Sequence, residues 1–190
     1  PPSSNLLIDT TALGLSFEGI GGLNGGNGAR LLANYPEQQR SEVLDLLFKP
    51  GVGCALDILK VELGADGFAA NAGGEPAIRH RKGGPLAFNG TNFFLMREAV
   101  KRNPNITLYA LSWSFPGWFA GRNALGIDQA EYSADWVDGV REFHDGKVIV
   151  GVWNEQDPTP ATANYAKLLR SGRDRSALVH SGVCHGDGSK

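Results

Sequence analysis

Val148-Ile149-Val150-Gly151-Val152-Trp153-Asn154-Glu155 is a β-branched apolar run that ends in an amide beside a carboxylic acid. A short continuous apolar run reads as a strand buried on both faces, which is the habit of parallel sheets. In α/β folds, polar groups at the C-terminal end of such a strand are where the chemistry sits. Glu155 is therefore the candidate reactive group, with Asn154 beside it. The pair reads equally well as the opening of a turn that Asp157-Pro158 continues, and only the surrounding chain can separate the two readings.

On either side of this run, strand patterns alternate with helical ones. Residues 131–144 place Trp136, Val137, Val140 and Phe143 on one helical face, and residues 160–169 follow Thr159 as cap with proline in the first turn. Upstream, residues 107–112 read as a strand after a helix that Thr91 caps and that carries Phe94, Leu95, Met96, Ala99 and Val100 to Arg102. Asn103-Pro104 stops that helix. Earlier still, residues 56–62 read as a strand, residues 36–48 as a helix ended by Pro50-Gly51, and residues 15–20 as the first strand. This makes about four βα units, which implies a parallel sheet with right-handed crossovers. The pattern alone leaves a doubly wound sheet and a barrel both open.

The connections carry the other signals. The glycine-dense run from Gly21 to Gly28 admits no placement of G-x-G-x-x-G. It reads as a turn at a strand end, or as a place where backbone N–H groups approach a ligand. From Gly64 to Gly84 there is no periodicity, and a loop of that length in a compact domain is commonly functional. Its carboxylates, Asp66 and Glu75, read as solvated or structural. Trp113-Ser114-Phe115-Pro116-Gly117-Trp118-Phe119 follows a strand directly and cannot continue it. Clustered rings are usually core, yet in a turn at a strand end they can also floor a ligand pocket.

Composition narrows the class. At 42% apolar and 20% charged residues, the chain is globular in character, and a net charge of −2 with mixed signs offers no basic stripe for nucleic acid. The two cysteines, Cys54 and Cys184, have no metal-ligand spacing. Two N-x-S/T triplets, at Asn89 and Asn105, would accept glycans in a secretory chain. There is no transmembrane stretch and no signal peptide. The chain begins at Pro1, as expected of a processed or partial piece.

Ordered blocks then converge on one family. Arg30-Leu31-Leu32-Ala33-Asn34-Tyr35-Pro36-Glu37, Leu46-Leu47-Phe48-Lys49-Pro50, Ile58-Leu59-Lys60-Val61-Glu62 and Arg102-Asn103-Pro104-Asn105-Ile106-Thr107 resemble the galactocerebrosidase (galactosylceramidase) family of glycoside hydrolases. So do Trp113-Ser114-Phe115-Pro116-Gly117-Trp118 and Val152-Trp153-Asn154-Glu155, over about residues 17 to 170. The resemblance implies a (β/α)8 TIM-barrel type fold, of which residues 1–170 supply the N-terminal half, about the first four βα units. It implies retaining cleavage of β-galactosyl bonds in galactosylceramide and related glycosphingolipids. Lysosomal or secreted placement, a saposin-type lipid-presenting partner and no cofactor or metal come with it. Glu155 would be the general acid/base, Asn154 would bind the sugar at its 2-hydroxyl, and Trp113 would line the galactose site. The nucleophile would lie on a later strand, beyond this chain.

The chemistry suits those residue types. A retaining glycosidase needs two carboxyl groups about 5 to 5.5 Å apart, one protonated and one ionised. Glu155 fits the protonated role if neighbouring rings such as Trp153 exclude water. Departures from the family are also visible. Gly67-Phe68-Ala69-Ala70-Asn71-Ala72 lacks a hydroxyl where the family carries a sugar-contacting threonine, the connection from Gly121 to Ala130 is short, and residues 171–190 read as a divergent, mobile tail. His180 and His185 in that tail hint at a metal, although a tail is the plainer reading. A barrel of this type needs about 250 residues. The isolated chain is therefore expected to be weakly stable or self-associating, and inactive by itself. Two other readings remain at this stage: a non-catalytic sugar- or lipid-binding half barrel, and another barrel β-glycosidase.

Overall fold

The computed structural model describes residues 9–25, 28–66, 74–119, 125–154, 165, 167 and 178–180. In order these form β1 (Gly21–Asn24), α1 (Ala29–Ala33), α2 (Glu37–Phe48), β2 (Ile58–Glu62), α3 (Thr91–Arg102), β3 (Thr107–Leu111), α4 (Ile127–Arg141), β4 (Val148–Gly151) and β5 (Leu178–His180). The strands make one five-stranded sheet in the order β1-β2-β3-β4-β5, and every neighbouring pair is parallel. A doubly wound sheet reverses its strand order at a switch point. No reversal occurs among these strands, so the arrangement is that of a (β/α)8 barrel wall.

The two faces of the sheet differ sharply. Leu59, Val61, Leu108, Ala110, Val148 and Val150 are buried against the helices, where they meet Leu44, Phe48, Met96, Ala99, Trp136 and Val140 in one apolar core. Ile58, Lys60, Thr107, Tyr109 and Ile149, at the alternate positions, are only half-buried. Side chains alternate across a strand, so these residues share the inward face. Gly151 lies on it too, since a Cβ there would sit 2.5 Å from Leu111 Cδ1 and 2.9 Å from Tyr109 Cε2. The near-continuous hydrophobicity of residues 148–152 thus has two explanations: core on one side, barrel interior on the other.

Several boundaries differ from the sequence reading. The first strand falls within the glycine run rather than at residues 15–20. Gly21 pairs with Ile58 so closely that a Cβ would lie 2.9 Å from the Ile58 Cβ. Glycine is what permits the strand there. The helix expected from residue 131 starts four residues earlier, at Ile127. Thr91 is the first helical residue of α3 rather than its cap; Gly90 holds the cap position and offers no side chain. Within the stretch expected as a tail, Leu178–His180 pairs with β4, matching Ile149 to Leu178 and Gly151 to His180. This short strand at the edge of the parallel sheet completes main-chain hydrogen bonds that β4 would otherwise leave unmade. Of the helix expected at residues 160–169, Tyr165 and Lys167 are described and helical, and the rest lies outside the described residues.

Candidate active site at the strand ends

The C-terminal ends of β2, β3 and β4 lie side by side, and one more main-chain bond joins β3 and β4 beyond the ladder, one residue out of its register. The Asn154 backbone N–H donates to the Ser112 carbonyl at 2.8 Å. That bond fastens Asn154 beside the residue immediately before Trp113, so the two expected sugar-binding residues stand at adjacent strand ends. Both are half-buried. Glu155 follows Asn154 directly in sequence but lies outside the described residues, as does the 67–73 segment that lacks the family's threonine.

Ser112 is itself held from behind. Its hydroxyl accepts from Gln129 Nε2 at 2.8 Å, Gln129 reaches Ser133 on the next turn of α4, and the Ser133 hydroxyl meets the Tyr165 hydroxyl at 2.7 Å. All four are buried. Such a chain of buried hydroxyls and amides has few alternative arrangements, because each broken bond strands a polar group away from water. It fixes the β3 end that Asn154 leans on.

The aromatic turn divides into two parts. Phe115, Trp118 and Phe119 are packing residues. Phe115 meets Trp153 edge-on at 5.0 Å between centroids, Phe119 is T-shaped to Trp118 at 4.7 Å, and both Trp118 and Phe119 reach Tyr132 of α4. Trp153 therefore supports the turn from β4. Trp113 is different: its ring lies 5.7 Å from the ammonium of Lys60 on β2. Core and pocket readings each hold for a different part of this stretch.

The long loop after β2 is tied down on both flanks. Gly64 sits where a Cβ would fall 2.2 Å from the Pro76 carbonyl oxygen, and the Ala65 and Asp66 N–H groups both donate to the Glu75 carbonyl. The Tyr132 hydroxyl donates to the Gly64 carbonyl and accepts from the Ile78 N–H. Burial pushes this phenol up, so it remains a neutral donor. Arg79 pairs with Asp135, Lys82 with Asp128, and Trp118 Nε1 donates to the Arg79 carbonyl. Asp66, at φ 59°, accepts from the Ala77 N–H and pairs with His80. The structural reading of both loop carboxylates holds, though Glu75 is buried at 2% exposure rather than solvated.

Glu75 caps α3 from outside the helix. Its carboxylate accepts from the Thr91 hydroxyl at 2.7 Å and the Asn92 N–H at 2.9 Å, in place of the side chain that Gly90 lacks. A carboxylate suits a helix N-terminus, where unpaired N–H groups and the helix dipole present positive charge. Asn92 then donates to the Glu62 carbonyl and accepts from the Asn24 amide, joining α3 to the ends of β1 and β2.

Sequence reasoning missed Lys60, Glu62, Ser112 and Gln129. Lys60 and Glu62 were marked in principle by being charged at alternate positions of an otherwise apolar strand. Gln129 carried no signal. An apolar cavity of 220 Å³, lined by Gly22, Asn24, Phe48, Leu59 and Leu95 among others, lies on the helix side of β1 and β2. Among the described residues, no group of three His, Cys, Asp or Glu is placed to hold a metal, and no helix is long and apolar enough to cross a membrane.

The family model described as Glycosyl hydrolase family 59 matches residues 17–189. The chain belongs to glycosyl hydrolase family 59. It is 45% identical over 181 residues to a galactocerebrosidase of Salmo salar, covering 92% of this chain and 27% of that one. It is 44% identical over 180 residues to a galactocerebrosidase of Homo sapiens, covering 90% and 25%. The chain thus spans about a quarter of the length of these relatives. Among solved structures, the catalytic domain of a GH30 xylanase C from Talaromyces cellulolyticus superposes with a TM-score of 0.60 at 17% identity, over 83% of this chain and 43% of that one. At that identity the likeness concerns fold, and it agrees with the barrel wall read from strand order. The family match also runs through residues 171–189, where the resemblance had faded in the sequence reading.

Burial holds the Glu75 carboxyl above its ordinary value of 4.5. A group with a raised folded-state pKa binds its proton more tightly folded than unfolded, so its contribution is fully present below pH 4.5 and is lost as pH rises through the raised value. Glu75→Gln is therefore expected to destabilise the protein relative to wild type more at acid pH than at neutral pH. Thermal unfolding of both proteins across that range reads the difference, and parallel pH profiles would contradict it.

Proposed function

We propose that this protein is the sugar-binding and acid/base side of a retaining β-galactosidase acting on galactosylceramide and related glycosphingolipids. The observation that carries the reading is the Asn154 N–H to Ser112 carbonyl bond, which sets Asn154 and Trp113 at neighbouring strand ends. Membership of glycosyl hydrolase family 59 and the likeness to galactocerebrosidases support it.

In this reading Glu155 is the general acid/base. Following the β4 end, it protonates the glycosidic oxygen as the ceramide leaves, then withdraws a proton from the water that releases the sugar. The partner carboxylate attacks the anomeric carbon and comes from sequence outside this chain. The Asn154 amide donates to the sugar 2-hydroxyl, a bond that strengthens as positive charge builds at the ring, so it favours the transition state over the ground state. Trp113 presents an apolar ring to the C–H face of galactose. Phe115 and Trp153 pack edge-on at this strand end, and rings of this kind beside a general acid favour its protonated form by excluding water.

Glu155→Gln in the intact protein is expected to lower kcat by about 10²- to 10⁴-fold on a galactosyl lipid with little change in KM. Asn154→Ala should lower kcat/KM with the protein still folded. Unchanged turnover in Glu155→Gln would refute the assignment.

The reading extends to a lysosomal glycoprotein of sphingolipid degradation, served by a saposin-type lipid-presenting protein. The Asn89 and Asn105 residues are both exposed, Asn89 just before α3 and Asn105 in the turn before β3. N-glycans at these positions are expected when the protein is made through the secretory pathway. Peptide-N-glycosidase treatment should convert each asparagine to aspartate by mass, and unmodified asparagine at both would exclude this part of the reading.

A further inference from the structure

We infer that Lys60 is a positioning residue that holds the Trp113 indole in place as the platform for the sugar. This rests on the reading of Trp113 as a galactose contact and adds what fixes it. Lys60 lies on β2 in register with Tyr109 of β3. Its ammonium sits 5.1 Å from the Tyr109 ring centroid and 5.7 Å from that of Trp113. Both distances fall inside the reach of a cation over a π face, about 6 Å.

The geometry follows from the strand period. Tyr109 and Trp113 are four residues apart and share the inward face, so one ammonium rising from the neighbouring strand can touch a ring inside the strand and a ring beyond its end. Tyr109 is anchored by the ladder, whereas Trp113 has left it and entered the turn. The other rings of that turn, Phe115, Trp118 and Phe119, are locked by packing on Trp153 and Tyr132. For Trp113 the contact in hand is Lys60. An ammonium over one face of the indole ties its orientation to the sheet and leaves the opposite face for the C–H groups of a sugar.

The test measures binding of D-galactose by calorimetry, and kcat, KM and the pH profile on a galactosyl substrate, all in the intact protein. Lys60→Met is expected to weaken galactose binding and raise KM by about three- to tenfold, the scale of a partly buried cation–π contact, with kcat and the pH profile retained. Lys60→Arg should restore binding to within about twofold. In a Trp113→Ala background, Lys60→Met should have no further effect, because the contact it removes is already gone. Lys60→Gln serves the same comparison should the methionine variant fail to fold.

Full-strength galactose binding in Lys60→Met, alongside weakened binding in Trp113→Ala, overturns the inference and leaves the sugar-site reading standing. A shifted pH profile with unchanged galactose binding also overturns it, since that outcome assigns Lys60 to the carboxylates instead. If Trp113→Ala binds galactose normally, the sugar-platform reading itself fails, and the inference with it.

Discussion

Everything at the strand ends depends on the in-register parallel ladder from β1 to β5, and above all on the Asn154 N–H to Ser112 carbonyl bond made just beyond it. The register decides which residues emerge together: Leu108 pairs with Val148 and Ala110 with Val150, which would bring the Trp153 N–H to the Ser112 carbonyl. The bond is made instead by Asn154, so the chain gains one residue on β3 just past Gly151. A slip of one residue would turn every side chain to the other face, exchanging core for interior. Burial of Leu108, Ala110, Val148 and Val150 under the helices forbids that slip. The energy that sets the site is thus mostly hydrophobic and lies on the opposite side of the sheet from the chemistry.

Polar groups refine what the ladder sets. The Gln129, Ser133 and Tyr165 chain backs β3 from α4, and Tyr132 joins α4 to Gly64 and Ile78 in the loop after β2. Glu75 and Asn92 bind the start of α3 to the ends of β1 and β2. Each is a buried donor or acceptor with a partner, so each carries a penalty for moving that a surface contact lacks. The loop between β2 and α3 therefore belongs to the scaffold at both of its described flanks.

The strands and helices were legible where periodicity spoke. Residues 107–111, 148–151 and 91–102 emerge almost as read, because apolar spacing and proline stops act locally. The first strand was not legible, since Gly21 and Gly22 carry no side chains to show a pattern and are strand only through pairing with β2. The cap of α3 was misassigned to Thr91 for a related reason: the true capping group, Glu75, is distant in sequence and became visible only in three dimensions. Asn154 and Trp113 were expected at the site from the family resemblance, and the structure sets them at neighbouring strand ends. Lys60 was hidden because it sits inside a strand, where a charge reads as a solvated position until the barrel interior is recognised. Strand order separated barrel from doubly wound sheet, a distinction that alternating βα patterns do not contain.

The central claim is that Glu155 acts as acid/base beside Asn154 while another carboxylate attacks the sugar. Reaction of the intact protein with a 2-deoxy-2-fluorogalactosyl fluoride traps the nucleophile as a stable glycosyl ester, and peptide mass spectrometry locates it. The account predicts the label on a carboxylate other than Glu155, with labelling retained in Glu155→Gln because the fluoride leaves without protonation. A label on Glu155 itself would contradict it.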